Sequence, residues 1–250
     1  MAMFESDSAY DVFMGRYSRR LAPVFADFAR LAEGSSVADV GAGTGALTTE
    51  LAARGLRVAA ADPSAPFVEA LHARLADVDA RVAPAEELPW ADETFDACLA
   101  QLVVAFMSDA PAGVLEMRRV VKPGGAVAVC MWDRDGMEML AAVSRARQAL
   151  GSVGQMSDTR YRTRDEIETL FGDGFGDGVV ELIETDGSYT GFDEFWSALG
   201  GGAGPAGAWI ATLDDRQLEA AREELHRQLG EPEGPFTLPA KAWAVRATRA

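Results

Sequence analysis

Short apolar runs alternate along this chain with stretches whose apolar residues recur at helical spacing, and that alternation predicts the fold class. The runs fall near residues 36–40, 57–61, 79–83, 95–100 and 125–131. Helical spacing falls near 45–54, 65–76, 111–121 and 137–149. Ser108 or Asp109 can cap the third of these, whose apolar stripe is Val114, Met117, Val120 and Val121. Ahead of the first run, Leu21, Val24, Phe25, Phe28 and Leu31 mark a packing helix. Strands alternating with helices in this way predict a parallel sheet wound on both faces.

The pattern loosens through Gly151 to Ser157. Thr163-Arg164-Asp165-Glu166 then reads as a capping box opening a short helix to Phe171. A strand follows near 179–185, and Ala242-Trp243-Ala244-Val245-Arg246 alternates as a closing strand. About fifty residues lie between those two strands, far above the usual loop length. That segment starts at Gly187-Ser188-Tyr189 and carries Phe192, Phe195 and Trp196, a glycine-rich hinge from Gly200 to Gly207, and an acidic helix near 214–229. A long insertion with helices of its own predicts a functional lid.

One run ends in chemistry. Val37-Ala38-Asp39-Val40 leads into Gly41-Ala42-Gly43-Thr44-Gly45 and then Ala46-Leu47-Thr48, a strand that breaks into alternating glycines before a helix. Glycines at the carboxyl end of a strand let a ligand lie against the backbone, where any Cβ would stand in its way. Near Thr44, at the helix start, N–H groups point at whatever the loop holds. Gly41-x-Gly43-x-x-Ala46 also fits a dinucleotide fingerprint, so the glycines alone do not choose the ligand. Asp39 narrows the choice. Dinucleotide folds are apolar at that position, and an acid there suits a ligand with an ammonium group or a positive sulfonium centre. The second run ends in Asp62, where one carboxylate can accept two ribose hydroxyls. Two further segments complete the pattern. Ala83-Pro84-Ala85-Glu86-Glu87-Leu88-Pro89-Trp90 feeds the strand after Asp92, and Arg118-Arg119-Val120-Val121-Lys122-Pro123-Gly124-Gly125 stops a helix before another strand.

In this order and spacing the four segments resemble the class I S-adenosylmethionine-dependent methyltransferases. The likeness is to the small-molecule, type 11-like branch, with its DVGxGTG loop, LPF-type segment and EMxRVxxPGG turn, and it covers roughly residues 9–134. The resemblance implies an α/β, Rossmann-like, doubly wound, seven-stranded and mostly parallel sheet. It also implies an N-terminal helical flap and a helical lid inserted before the last strand. One domain would span 1–250, with flap and helix at 1–33, a cofactor-binding core at 34–134 and a lid at 187–238 over the acceptor pocket.

S-adenosylmethionine is the implied cofactor. Gly41, Gly43 and Gly45 would admit it, the backbone of Ala42 and Gly43 lying near its methionine part and Asp39 near its ammonium. Asp62 would take both ribose hydroxyls, with Pro63 and Ser64 flanking the adenine. Tyr17 would belong to the flap over the methionine end, and Gln101 to the place where that end meets the acceptor. Relatives carry an acid where this chain has Pro84, so Glu86 or the backbone of Ala85 would have to receive the adenine amino group.

The implied reaction is in-line methyl transfer to a small-molecule acceptor. Some relatives place a histidine after the fourth strand, where this chain reads Val103-Val104-Ala105-Phe106. Asp133 is then the candidate to orient or deprotonate an acceptor, with Trp132, Tyr189 and Trp196 as acceptor contacts. An edge tryptophan beside a solvated aspartate is the plainer reading of Trp132 and Asp133. Two other functions stay open: a cofactor-binding protein without transfer, and an NAD-type oxidoreductase, which would leave Asp39 and the Leu-Pro-Trp segment unexplained.

Composition trims the list. With 23 basic and 39 acidic residues the net charge is −16, a field that repels phosphate backbones and argues against nucleic-acid partners. Arg16, Arg19 and Arg20 make only a small basic patch. Cys98 and Cys130 sit in apolar runs as small core hydrophobes, and His72 and His226 are too far apart to build a zinc cluster, so no metal is expected. The first residues lack the basic and apolar regions of a secretion signal, and Ala97 to Met107 is too short to span a bilayer. No membrane partner and a cytoplasmic location are the expectation.

Overall fold

A computed structural model describes residues 13–151, 159–176, 178–201 and 204–250, with only the backbone of 204 and 205. In chain order the elements are α1 (Gly15–Ala29), β1 (Ser36–Val40), α2 (Ala46–Ala53), β2 (Arg57–Asp62), α3 (Ala65–Arg74), β3 (Asp79–Val82) and β4 (Phe95–Gln101). After a 3₁₀ turn at Val104–Phe106 come α4 (Ala110–Val120), β5 (Val121–Met137), α5 (Glu138–Ala149), α6 (Arg164–Glu168) and β6 (Val179–Tyr189). α7 (Phe192–Gly200), α8 (Gly204–Ile210), α9 (Asp215–Gln228) and β7 (Phe236–Thr248) complete the chain. The seven strands form one sheet in the order β3-β2-β1-β4-β5-β7-β6. Each neighbouring pair from β3 to β5 is parallel.

The chain divides into two compact units, the larger made of Ser18–Arg134, Arg160–Glu184 and Lys241–Ala250. Its central strands β1, β2 and β4 are buried on both faces, and the two-residue period of a strand sorts the side chains. Ala38, Val40, Ala59, Ala61, Cys98 and Ala100 face Val114, Met117 and Val120 of α4 and Ile167 of α6. Ala60 and Ala80 on the other face meet Val68 and Leu71 of α3. Alanines dominate β2 because helices press on it from both sides and leave little depth for longer side chains.

Two of the sequence segments meet physically. Glu116 and Arg119 of α4 form an ion pair that grips the Leu88–Trp90 turn. Leu88 N–H donates to Glu116 at 3.1 Å, while Arg119 donates to the carbonyls of Leu88 at 3.1 Å and Trp90 at 2.9 Å. Asp109 caps α4 by accepting from Ala112 N–H at 3.1 Å. The Pro123-Gly124-Gly125 segment does not precede a strand, as expected, but lies inside one. Gly124 N–H donates to Arg249 at 2.9 Å and Arg249 N–H to Gly125 at 2.8 Å, and Val121 pairs with Phe95 of β4, so β5 begins at Val121. The capping box at Thr163 is half formed. Thr163 accepts from Glu166 N–H at 3.3 Å, but the Glu166 carboxylate reaches Arg162 N–H instead, at 2.8 Å.

The smaller unit comprises Met1–Tyr17, Asp135–Thr159 and Thr185–Ala240. Its core is aromatic: Tyr189 stacks on Phe236 at 5.2 Å and meets Phe195 edge-on at 5.2 Å. α9 opens with a complete capping box, Asp214 accepting from Gln217 N–H at 2.8 Å and Gln217 from Asp214 N–H at 2.9 Å. The glycine-rich stretch read as a hinge carries α8 from Gly204 onward; residues 202 and 203 lie outside the described ones. The first twelve residues of the expected flap and residues 152–157 of the loosened stretch lie outside them too. From Gly15 the flap is helix.

Candidate functional site

In an open parallel sheet, ligands bind beyond the carboxyl ends of strands where the strand order reverses. Here the reversal falls between β1 and β4. Asp39 pairs with Leu99 of β4 and Ala60 of β2. Continuing that register by two residues sets Gly41 beside Gln101, and Asp39, Asp62 and Gln101 share one face of the sheet. The sequence places these groups on three separate segments, and the register brings them to one edge.

The three loop glycines do different things. Each has a left-handed backbone, φ being 70° at Gly41, 54° at Gly43 and 85° at Gly45. A Cβ on Gly41 would collide with the Val103 side chain, and one on Gly45 with Leu71. A Cβ on Gly43 would have nothing within 4 Å. Of the three, only Gly43 fronts open space; Gly41 and Gly45 are glycine because the protein's own side chains close on them. The loop is pinned by Gly41 and Ala42 N–H donating to Ala61 at 2.8 and 3.1 Å, and by Arg74 donating to Thr44 at 2.7 Å.

Asp62 holds the same loop from β2. One carboxylate oxygen accepts from Gly43 N–H at 2.8 Å and the other from Ser64 N–H at 2.9 Å. Each oxygen keeps a further lone pair, and the carboxylate plane is fixed by backbone on both sides. Burial raises its pKa while the two N–H donors oppose that rise. Asp39 is more deeply buried, at 1% exposure, and accepts from Thr48 Oγ at 2.6 Å. Desolvation pushes its pKa up to about 7, the Thr48 bond opposing and the nearby Asp62 charge adding to it. A buried acid with one neutral partner suits a cation, which would restore its charged form. Thr48, an unlooked-for member of the site, is legible only as a polar residue on the buried side of α2.

Gln101, at the end of β4, donates from Nε2 to the Ser18 carbonyl at 3.1 Å. Ala85 and Glu86 follow β3, whose Val82 pairs with Asp62. Glu86 accepts from Asp109 N–H at 2.9 Å and so helps start α4. Pro63 is exposed, and Ser64 begins α3 without a side-chain cap.

The remaining candidates are held elsewhere. Trp132 and Asp133 do not end β5, as expected, but lie inside it, because the strand runs on to Met137. Asp133 is not merely solvated: it accepts from Trp243 Nε1 at 2.7 Å, tying β5 to β7. Tyr17 and Tyr189 belong to the core of the smaller unit, their hydroxyls 3.2 Å apart, and Trp196 is half-buried on α7. Among the described residues no group of three or more His, Cys, Asp or Glu could hold a metal ion.

Residues 38–129 match the family model of the methyltransferase domain. An uncharacterised methyltransferase of Mycobacterium tuberculosis is 35% identical over 134 residues, which is 54% of this chain and 54% of the relative. The chain thus spans about half the length of the curated relative it matches. Demethylmenaquinone methyltransferase of a Mycobacterium species is 42% identical over 97 residues, 39% of this chain and 41% of that one. Among solved structures, Haemonchus contortus phosphoethanolamine N-methyltransferase 2 in complex with S-adenosyl-L-methionine superposes with a TM-score of 0.59 at 15% identity, covering 98% of this chain and 57% of that chain. The chain therefore carries the class I methyltransferase resemblance in sequence over 38–129 and in fold over nearly its whole length.

Proposed function

We propose that this chain is an S-adenosylmethionine-dependent methyltransferase acting on a small-molecule acceptor. The observation that carries the reading is Asp62, whose two oxygens are aimed by Gly43 and Ser64 N–H groups while Gly43 fronts open space. Such a carboxylate receives adjacent ribose hydroxyls through charge-assisted bonds. Asp39 would face the cationic methionine end, Gln101 would attend that same end, and Pro63, Ser64, Ala85 and Glu86 would border the adenine. The family match over 38–129 supports methyl transfer over hydride transfer.

When bound, the cofactor supplies a methyl group on a positive sulfur. What the chain adds is position: holding donor and acceptor in line contributes about 7–11 kcal/mol in favourable cases. With Asp133 engaged by Trp243, alignment and exclusion of water would carry more of the catalysis than a carboxylate base. We assign acceptor choice to residues 187–238, which lie wholly in the smaller unit, with the half-buried Trp196 as an aromatic contributor. The acidic surface fits acceptors other than nucleic acid. The engaged Asp133 also favours a second reading, a cofactor-binding protein without transfer.

Calorimetric titration with S-adenosylhomocysteine, with NAD(H) in parallel, tests the core of this. Micromolar binding of the former alone is expected, and binding of NAD(H) would overturn it. Methyl transfer from labelled cofactor to a panel of hydroxyl, amine and thiol acceptors separates enzyme from binder. No described helix is long and apolar enough to cross a membrane.

A further inference from the structure

Arg147 of α5 and Trp209 of α8 meet inside the smaller unit, and each keeps a buried N–H without an acceptor. The guanidinium lies over the indole, 5.6 Å from the ring centroid. Trp209 is only 7% exposed, yet its Nε1 has no hydrogen-bond partner, and neither has the buried Nε of Arg147. A buried indole N–H ordinarily finds an acceptor. Elsewhere in this chain such donors meet carboxylates: Trp90 Nε1 donates to Asp79 at 3.4 Å and Trp243 Nε1 to Asp133 at 2.7 Å. Arg145, two residues before Arg147, donates to Glu138 at 2.6 Å and to Gln228 at 2.9 Å. Arg147 has no carboxylate within ion-pair distance among the described residues, in a chain with 39 acidic residues against 23 basic ones. Two buried donors and one unanswered charge therefore coincide at a single contact.

We infer that Arg147 and Trp209 form a binding site for the carboxylate of a small molecule, whose two oxygens take the two N–H groups. A carboxylate only accepts, so it answers both donors and the cation together, whereas a neutral carbonyl would leave the charge unanswered. Both donors are closed to solvent, so one side chain has to move to admit it. Arg147 is that side chain. Its guanidinium sits at the end of a flexible stem and is held over the ring by a cation–π contact, with no hydrogen bond to a described residue. Trp209 stays in place, flanked on α8 by the buried Ala206 and Ile210. The carboxylate could belong to the methyl acceptor, because Trp209 lies in the segment assigned to acceptor choice, or to a separate acid that regulates the chain. The first source rests on the methyltransferase reading; the site itself does not.

Benzoate and octanoate are the probes, with benzyl alcohol and octanol as their uncharged counterparts. The readout is the Trp209 indole N–H signal in the nitrogen–proton correlation spectrum, identified as the one that Trp209→Phe removes. An acid is expected to move that signal downfield in a saturable titration, and the alcohols to leave it where it is. Arg147→Met keeps the stem and removes the charge, and it should weaken the acid about tenfold or more, the loss of a charge-assisted bond. Arg147→Lys keeps the charge without Nε and should recover part of that loss. If the pair is only a packing contact, Arg147→Met lowers the melting temperature and no acid moves the Trp209 signal. That result overturns the inference, as does a signal that acids and alcohols move alike. Labelled cofactor then tells the two sources apart. An acceptor acid takes up the label, with a KM that rises in Arg147→Met while S-adenosylhomocysteine affinity stays unchanged; a regulatory acid moves the signal and takes up none. Should S-adenosylhomocysteine not bind while an acid still moves the signal, the methyltransferase reading falls and the site stands.

Discussion

The glycine-loop edge of the larger unit and the aromatic core of the smaller one both bury polar groups, and they treat them in opposite ways. In the aromatic core the groups answer one another. Tyr17 and Tyr189 share a hydroxyl–hydroxyl bond at 3.2 Å, and Arg16 lies over the Tyr189 ring at 4.1 Å while pairing with Glu194 at 2.8 Å. Burial drives the Tyr17 hydroxyl's pKa far upward, with Tyr189 adding to it, so it stays protonated. At the loop edge, Asp39 has one neutral partner, Gln101 keeps a buried oxygen unpaired, and Asp62 takes only backbone donors. The tyrosine pair spends its hydroxyls on packing, while the carboxylates at the loop edge keep acceptor capacity that a ligand can use.

Asp62 is the point at which this contrast breaks most visibly. Asp62→Ala removes the proposed ribose acceptor and also frees Gly43 N–H, so S-adenosylhomocysteine affinity should fall by 100-fold or more, on the order of two charge-assisted bonds. Calorimetry reads it directly. An affinity within threefold of the parent would mean that the loop edge is not the cofactor site.

Asp39 sharpens the same contrast through pH. With a folded pKa of about 7 against an ordinary 3.8, the folded protein holds a proton there more tightly than the unfolded chain. Asp39's own contribution to stability should therefore be greatest below about pH 4, fall as pH rises toward 7, and level off above, a loss on the order of 2–4 kcal/mol. Asp39→Asn keeps an acceptor for Thr48 and should flatten that slope in urea titrations between pH 5 and 8. Affinity for a cationic ligand should run the other way in the parent, rising with pH as the carboxylate forms. A variant that keeps the parent's slope would assign the titration to another group.

The glycines give a smaller and more local test. Gly41→Ala forces a Cβ against Val103 at a left-handed backbone and should cost roughly 1–3 kcal/mol of stability. Gly43→Ala meets no neighbour, so its stability loss should be the lesser of the two while its loss of S-adenosylhomocysteine affinity is the greater. Equal effects in melting and binding would erase the distinction between packing glycine and ligand glycine.

Much of this was legible in the residues. Alternating apolar runs place all of the first five strands, and Asp39, Asp62 and the glycines can be named as a group because strand ends carry ligands. What the sequence hides is partnership. Nothing local says that Val103 fills the space at Gly41, since those residues meet only through the register of β1 and β4. Nothing local says that Asp133 belongs to Trp243, 110 positions away. The run of β5 to Met137 is hidden for a related reason: Asp133, Arg134 and Asp135 look like the end of a strand until β7 lies beside them.

Tyr17 is where the comparison is finest, because the resemblance gives it to the cofactor and the packing gives it to the core. Its ring leaves no room for a Cβ on Gly187, and it is fully buried. Tyr17→Phe keeps the ring and removes the hydroxyl that meets Tyr189. A core role predicts a loss of about 1 kcal/mol, one hydrogen bond, with S-adenosylhomocysteine affinity unchanged. Tyr189→Phe should cost a similar amount, and the double variant less than the sum, because the two hydroxyls satisfy one another. Additive losses would mean that each hydroxyl has a separate partner, and a selective loss of affinity in Tyr17→Phe alone would return that residue to the cofactor.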